Sequence, residues 1–365
     1  MRKNSKKRLI IVVPQLNIGG GEKQLLALVK KFNTEIFDII LINLDSTAGA
    51  LVNQFNNETI KLIELLPCGK ADLLKQLYNI YKKEEPDIIH TWLNNDWGRI
   101  AGIGYKLTIN SKVRIIASER HDMFLYERRF KSFFICLHYL LSYFSNTVTF
   151  NSEVPIKKIV NVLYSKNKIK FIPNGISLKV NEKISKESVI MPKKTLNLVI
   201  VARLVPVKNH VFLFKALSKI KSLIDFHLHI VGDGVLRKPL EDEIRNLEIE
   251  SKVTFYGELK DPVNVISSSD IGLLVSTSEG FSNTLLEYLL YGKAIIATNV
   301  GSNSHCVCNN GFIVNSEEEL ISAILEYGNN DNLVSFHGNN SLKLIKNFCI
   351  EKVAEQYQDI YLKLK

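Results

Sequence analysis

The sequence predicts an α/β chain made of two doubly wound domains, each a parallel sheet with helices on both faces. Short, continuous apolar runs rich in β-branched residues recur along the whole chain, separated by longer amphipathic segments. That is the pattern of parallel strands buried on both sides. A length of 365 residues with 46% hydrophobic content can enclose two cores of ordinary size. A polar stretch without apolar periodicity, from Ile176 to Thr195, parts the runs into two sets and reads as a linker.

In chain order, the first set is LIIVV (9–13), FDIILI (37–42), DIIH (87–90), VRIIAS (113–118) and NTVTF (146–150). The second is LNLVIVA (196–202), FHLHIVG (226–232), VTFYG (253–257), IGLLVS (271–276) and AIIAT (294–298). The basic start MRKNSKKR leads into an apolar run too short for a signal-peptide core and interrupted by Pro14, so it is expected to open the first strand. No run of 18 apolar residues suggests a membrane-spanning helix. The five cysteines, Cys68, Cys136, Cys306, Cys308 and Cys349, show neither zinc spacing nor a disulfide framework, which points to a reducing, cytoplasmic setting. A net charge of +10 suits nucleic acid, an anionic membrane face or a phosphate-bearing substrate. Nucleic acid is not expected, because no basic stripe is interleaved with aromatics.

The segment from Ser276 to Asn303, STSEGFSNTLLEYLLYGKAIIATNVGSN, passes from a strand through a polar turn into a helix. Such strand-to-helix turns are where α/β sheets bind ligands. Glu279 and Glu287 are separated by seven residues, and backbone N–H groups around Phe281 to Thr284 can face an anion. Thr284 and Glu287 also have the spacing of a capping box, under which Glu287 would only satisfy its own helix. Arg203 just past LNLVIVA, with Lys208 five residues on, forms a pair of cations at a strand end that an anion between them would stabilise. In PQLNIGGGEKQLLALVKKF, Gly19, Gly20 and Gly21 allow a tight turn and a close approach to a phosphate, or simply a connection. His90 ends DIIH and is followed by Trp92, Asn94 and Asp96; these line a site, or His90 is hydrogen-bonded at its strand end. Arg120 and His121 follow VRIIAS. Next, Arg128, Arg129 and Lys131 flank a nearly apolar stretch from Phe133 to Phe144, a mostly buried helix or a surface that docks on anionic lipid.

EGFSNTLLEYLLYGKAIIATNVGSN resembles the donor-site signature of the retaining glycosyltransferase family 4, and the glycine loop, Arg203…Lys208, HIVGDG and VTFYGEL resemble its companion motifs in order. The resemblance implies the GT-B arrangement, two Rossmann-like domains facing across a cleft with the C-terminal helix crossing back. The domains would span 1–178 (acceptor side) and 179–342 (donor side), with 343–365 as the returning helix. It implies that Arg203 and Lys208 stabilise the leaving diphosphate, Glu279 contacts the transferred sugar and Glu287 holds the ribose. Gly20, Gly21 and the Gly280, Phe281, Ser282, Asn283 and Thr284 backbone would face phosphates and sugar. His121 or Arg120 would stand in for a family histidine near the donor, and His90 and Asn94 would lie on the acceptor side. A UDP-sugar is the expected donor, without a metal or other cofactor. The expected acceptor is a glycan or polyprenyl-linked oligosaccharide in bacterial surface polysaccharide synthesis, with contact to the inner face of the cytoplasmic membrane. An inactive GT-B protein that binds a nucleotide sugar, glycan or protein is the alternative. SHCVCNNGFIV departs from the family by lacking a carboxylate, and the histidine segment departs from it as well.

Overall fold

The computed structural model describes residues 6–17, 19–47, 49–55, 59–93, 95–120, 137, 140–141, 143–152, 168–179 and 195–363. Asn94, His121, Arg128, Arg129, Lys131 and most of the expected linker lie outside the described residues. The chain divides into two compact units, Met1–Gly175 with Ile350–Lys365, and Ile176–Cys349.

The first unit holds a seven-stranded parallel sheet: β1 (Lys7–Val13), β2 (Phe37–Asn43), β3 (Ile60–Glu64), β4 (Ile88–Trp92), β5 (Arg114–Glu119), β6 (Thr147–Phe150) and β7 (Ile169–Phe171), in the order β3-β2-β1-β4-β5-β6-β7. The winding reverses between β1 and β4, which makes their carboxyl ends the unit's topological switch point. Helices α1 (Gly20–Val29), α2 (Val52–Phe55), α3 (Lys70–Glu84) and α4 (Asp96–Thr108) connect the early strands. The expected runs form strands. Two further strands escape the apolar-run test: β3 is an edge strand whose middle residues are only half-covered, and β7 has 3 residues. Residues Leu9, Ile11 and Val13 of β1 pack with Leu25 and Leu28 of α1.

The final helix, α12 (Ile350–Lys363), returns to this unit and buries Ile350, Val353, Ala354, Tyr357 and Tyr361 in the same cluster. Its apolar positions recur at helical spacing, so one stripe packs while Glu355 and Lys363 face water. The unit's other chain end is clasped by Gln24, whose side-chain amide donates to the Gly175 carbonyl at 2.8 Å and accepts from its N–H at 2.9 Å.

The second unit has a six-stranded parallel sheet: β8 (Leu196–Val201), β9 (Phe226–Val231), β10 (Val253–Gly257), β11 (Ile271–Leu274), β12 (Ala294–Thr298) and β13 (Gly311–Val314), in the order β10-β9-β8-β11-β12-β13. Its switch point lies between β8 and β11. Helices α5 (His210–Ile220), α6 (Arg237–Asn246) and α10 (Glu317–Gly328) cover one face and bury Leu198, Ile200, Leu228, Ile230 and Leu273. The remaining helices are α7 (Val263–Ser268), α8 (Asn283–Leu290), α9 (Asn303–Cys306) and α11 (Asp331–Leu344).

Candidate active site

Arg203, Lys208 and Glu279 of the second unit follow β8 and β11, which lie side by side. After β8 the backbone is held by the next crossover: Ala202 N–H bonds to the Val231 carbonyl and Leu204 N–H to that of Asp233, both at 2.9 Å. Only glycine fits this approach, because a Cβ on Gly232 (φ +133°) would overlap the Ala202 carbonyl and one on Gly234 that of Leu204. Between these anchors Arg203 stands exposed, and its guanidinium has no partner among the described residues. A 3-10 turn, Pro206–Lys208, then leads through left-handed Asn209 (φ 55°) into α5. Thr277, after β11, donates its N–H to the Val207 carbonyl at 2.9 Å and ties the two loops together.

This fastening delivers Lys208 to Glu279. Lys208 Nζ lies 2.5 Å from Glu279 Oε1, and the Ser276 hydroxyl donates to the same oxygen at 2.7 Å. The side chains keep 20% and 12% of their exposure, so the pair is covered enough to hold one geometry while an edge remains open to a ligand. Lys208 and Glu279, expected in separate roles, are thus brought together. Behind them His210 is buried, with neither ring nitrogen partnered among the described residues; burial first, then the Lys208 charge, lowers its pKa to about 4. The imidazole is neutral at pH 7 and leaves Lys208 as the local charge.

The turn into α8 is braced from below and behind. Tyr288 is fully buried, its hydroxyl accepting from Val201 N–H at 3.0 Å and donating to the Val199 carbonyl at 3.2 Å; Gly272 makes room for its ring. Thr284 Oγ1 donates to the Val201 carbonyl at 3.2 Å. Ser282, not Thr284, is the N-cap and accepts from Leu285 N–H. Glu287 therefore falls in the second turn, beyond the capping-box position, and that structural reading of it is set aside. Phe281 turns inward onto Phe348 with ring centroids 5.5 Å apart, which leaves its backbone, not its ring, at the turn. Gly301 (φ +58°) lies against the Glu279 and Gly280 carbonyls, and Ser302 N–H bonds to the Gly280 carbonyl at 2.9 Å. Ser276 and Gly301 were not singled out in the sequence as site residues. Their signals are a hydroxyl three residues before Glu279 and a glycine in the loop that follows the next strand.

Residues of the first unit are placed differently. Gly20 and Gly21 belong to the first turn of α1 instead of a loop. The Gly21 carbonyl accepts from Trp92 Nε1 at 3.0 Å, and a Cβ there would strike Leu93, so this glycine serves the packing of α1 on β4. His90 is fully buried, with Nδ1 2.7 Å from the Tyr361 hydroxyl and Nε2 2.7 Å from that of Ser118. Burial, and after it the Arg120 charge, lower its pKa to about 3. Both nitrogens are committed inside the fold, and none is left to meet an acceptor. Arg120 is also buried, donates to Asn174 and, at 2.7 Å, to the Tyr357 hydroxyl, and stacks 4.1 Å over the Trp92 ring. Glu22, at the start of α1, is buried and its pKa is raised by that burial. A cavity of about 780 Å³ beside Cys308, Phe336 and Lys343 opens before β13, at the other end of the sheet from Lys208 and Glu279.

Residues 181–344, which carry Arg203, Lys208, Ser276 and Glu279, match the family described as glycosyl transferases group 1. The second unit belongs to that family. Across 90% of its length the glycosyltransferase is 26% identical to UDP-Gal:alpha-D-GlcNAc-diphosphoundecaprenol alpha-1,3-galactosyltransferase of Escherichia coli, covering 89% of that protein. It is 19% identical to the capsular polysaccharide biosynthesis glycosyltransferase CapH of Staphylococcus aureus, over 97% of this chain and 98% of the relative. Its fold is GT-B: Anabaena HepE in complex with UDP superposes with a TM-score of 0.81 at 18% identity, over 97% of this chain and 99% of that one.

Proposed function

We propose that this glycosyltransferase moves a sugar from a UDP-sugar, with retention of anomeric configuration, to a hydroxyl of a lipid-linked or growing glycan in bacterial surface polysaccharide synthesis. The observation that carries the reading is the Lys208–Glu279–Ser276 cluster beside unpartnered Arg203 at the switch point of the second sheet. The E. coli relative names a UDP-sugar and a diphosphoundecaprenol acceptor, the S. aureus relative capsular polysaccharide, and HepE holds UDP.

Breaking the anomeric C–O bond builds negative charge on the departing diphosphate. Fixed cations stabilise that charge more in the transition state than in the ground state. Arg203 and Lys208 supply them and take the part that a divalent ion plays elsewhere, so the reaction runs without metal. Glu279, fixed by Lys208 and Ser276, orients the sugar through its hydroxyls. Glu287 holds the ribose hydroxyls. The acceptor oxygen bonds to the anomeric carbon on the face the phosphate leaves, and its proton passes to the departing phosphate oxygen.

The test is turnover of UDP-galactose, UDP-glucose and UDP-N-acetyl sugars on a polyprenyl-diphospho-sugar acceptor, with the product linkage assigned by NMR. The expected result is an α-linked product from an α-donor at a rate unchanged by EDTA. A β-linked product, or activity abolished by EDTA and restored by a divalent ion, would overturn the mechanism. No turnover with intact UDP binding would favour the inactive nucleotide-sugar-binding alternative.

A further inference from the structure

The cavity of about 780 Å³ that opens before β13 is lined by residues of the second unit alone. One wall is helical. Helix α11 buries His337, Gly338 and Ser341, so the neighbouring stripe of Phe336, Asn340 and Lys343, with Asn347 in the turn that follows, borders the cavity. Phe336 is 58% exposed, a large ring kept in water. It lies 5.7 Å from the His337 ring, whose Nδ1 is 2.7 Å from the Tyr327 hydroxyl and whose edge contacts Phe312 with centroids 5.7 Å apart. The open ring is therefore backed by a fixed aromatic cluster.

The other wall is the loop from Cys308 to Asn310, part of the SHCVCNNGFIV segment that departs from the family. Buried Asn310 shapes this loop. Its amide donates to the Cys306 carbonyl at 3.1 Å and to the Ser341 hydroxyl at 3.0 Å, and its side-chain oxygen accepts from Cys308 N–H at 2.8 Å. Asn340 Nδ2 joins the walls by donating to the Asn309 carbonyl at 2.7 Å. The side chains of Asn309, Lys343 and Asn347 are exposed and have no partner among the described residues. No carboxylate lines the cavity, so it suits neither a metal ion nor a basic peptide. Each open amide sets a donor beside an acceptor, and the Phe336 ring adds an apolar face. A sugar matches both, since its hydroxyls donate and accept together and the C–H bonds on one side of a pyranose lie flat on an aromatic ring. The volume falls within the ~300–1,000 Å³ of ligand sites and leaves room for a short oligosaccharide. A phosphate fits less well, because α11 brings its carboxyl end, the negative end of its dipole, to this cavity.

We propose that this cavity binds a segment of glycan chain, at a site separate from the one where sugar is transferred. Its purpose, holding a glycan on the enzyme between transfers, rests on the proposed reaction, but its binding does not. The experiment titrates the full chain with chitotetraose, maltotetraose and β-1,4-galactotetraose, with UDP in excess, and follows them by saturation-transfer difference NMR. At least one of the three is expected to bind saturably. Phe336→Ala should weaken that binding by about tenfold. Asn309→Ala and Asn347→Ala should weaken it by about threefold each. All three positions are exposed, so the variants should melt with the wild type. Cys308, an exposed thiol in the cavity wall, gives a local readout. Bound tetrasaccharide should slow its alkylation by iodoacetamide, resolved by peptide mass, and leave that of exposed Cys68 unchanged. No saturable binding by any of the three probes would overturn the proposal while leaving the transfer reaction standing. Binding that all three variants retain in full, with Cys308 unprotected, would place the glycan elsewhere and overturn it as well. Lost turnover with tetrasaccharide binding intact would count only against the reaction.

Discussion

The two units share a winding, with the strand order reversing after the third strand of each, yet they use their switch points differently. In the second unit the charged side chains past β8 and β11 reach the surface: Arg203 is exposed, and Lys208 and Glu279 form a half-covered pair. In the first unit the corresponding polar groups point inward, His90 from the middle of β4 instead of its expected end and Arg120 from just past β5. His90 and Arg120 are buried under α12, where Tyr357 and Tyr361 take up their hydrogen bonds. A topological switch point thus offers a place for a ligand, but whether its polar groups are available depends on what else packs there. The returning helix takes them in one unit and leaves them in the other.

The contrast breaks most visibly if Lys208→Ala is tolerated. On the proposed mechanism Lys208 is a fixed cation where negative charge develops, so its removal should lower kcat by about 100- to 1000-fold. Its melting temperature should stay near that of the wild type, because the pair is partly exposed. Arg120→Ala should show the opposite split, losing stability before activity can be measured.

Acid provides the next test. His90 has a pKa of about 3 in the folded chain against 6.5 unfolded, so between those values the unfolded state binds the extra proton. Stability from this group is complete above about pH 6.5 and falls as pH drops toward 3, by up to about 1.4 kcal/mol per unit. Urea unfolding from pH 7 to pH 4 should show that slope, and His90→Asn should flatten it. An unchanged slope in the variant would place the acid sensitivity elsewhere.

Smaller effects sharpen the picture of how the loops are held. Gly301→Ala must adopt a positive φ and crowd the Glu279 and Gly280 carbonyls, so it should destabilise by about 1–3 kcal/mol and raise KM for the donor. Tyr357→Phe removes a hydroxyl that Arg120 donates to, and should destabilise by about 1 kcal/mol with no change in donor KM.

Much of this was legible in the sequence, for identifiable reasons. Buried parallel strands are continuous apolar runs, so their places along the chain and the parallel class of both sheets could be read from the sequence, whereas the order within each sheet is set by how the crossovers fold. The edge strand β3 and the three-residue β7 could not be read in this way, since partial exposure and short length remove the signal. In the second unit the segment from Ser276 to Asn303 keeps the groups proposed to meet the donor local in sequence, and the resemblance could name them. The pairing of Lys208 with Glu279 is not local; it depends on Thr277 binding the Val207 carbonyl across two crossovers. The sequence points to His90 because it ends an apolar run, and to Arg120 because the resemblance places a donor-side histidine beside it. Their burial is decided by a helix more than 200 positions away in the chain, Tyr361 lying 271 residues from His90, which no local pattern reports.

The account turns on the second unit's switch point being the donor site, and Arg203 tests it most cleanly because its guanidinium has no partner among the described residues. The measurement is the thermal shift of the wild type and Arg203→Ala with UDP and UDP-sugars. A ligand bound only by the folded state raises the melting temperature. The prediction is a clear shift with UDP in the wild type, most of it lost in Arg203→Ala at an unchanged ligand-free melting temperature. An equal shift in both proteins, or none with any uridine nucleotide, would contradict the placement of the donor.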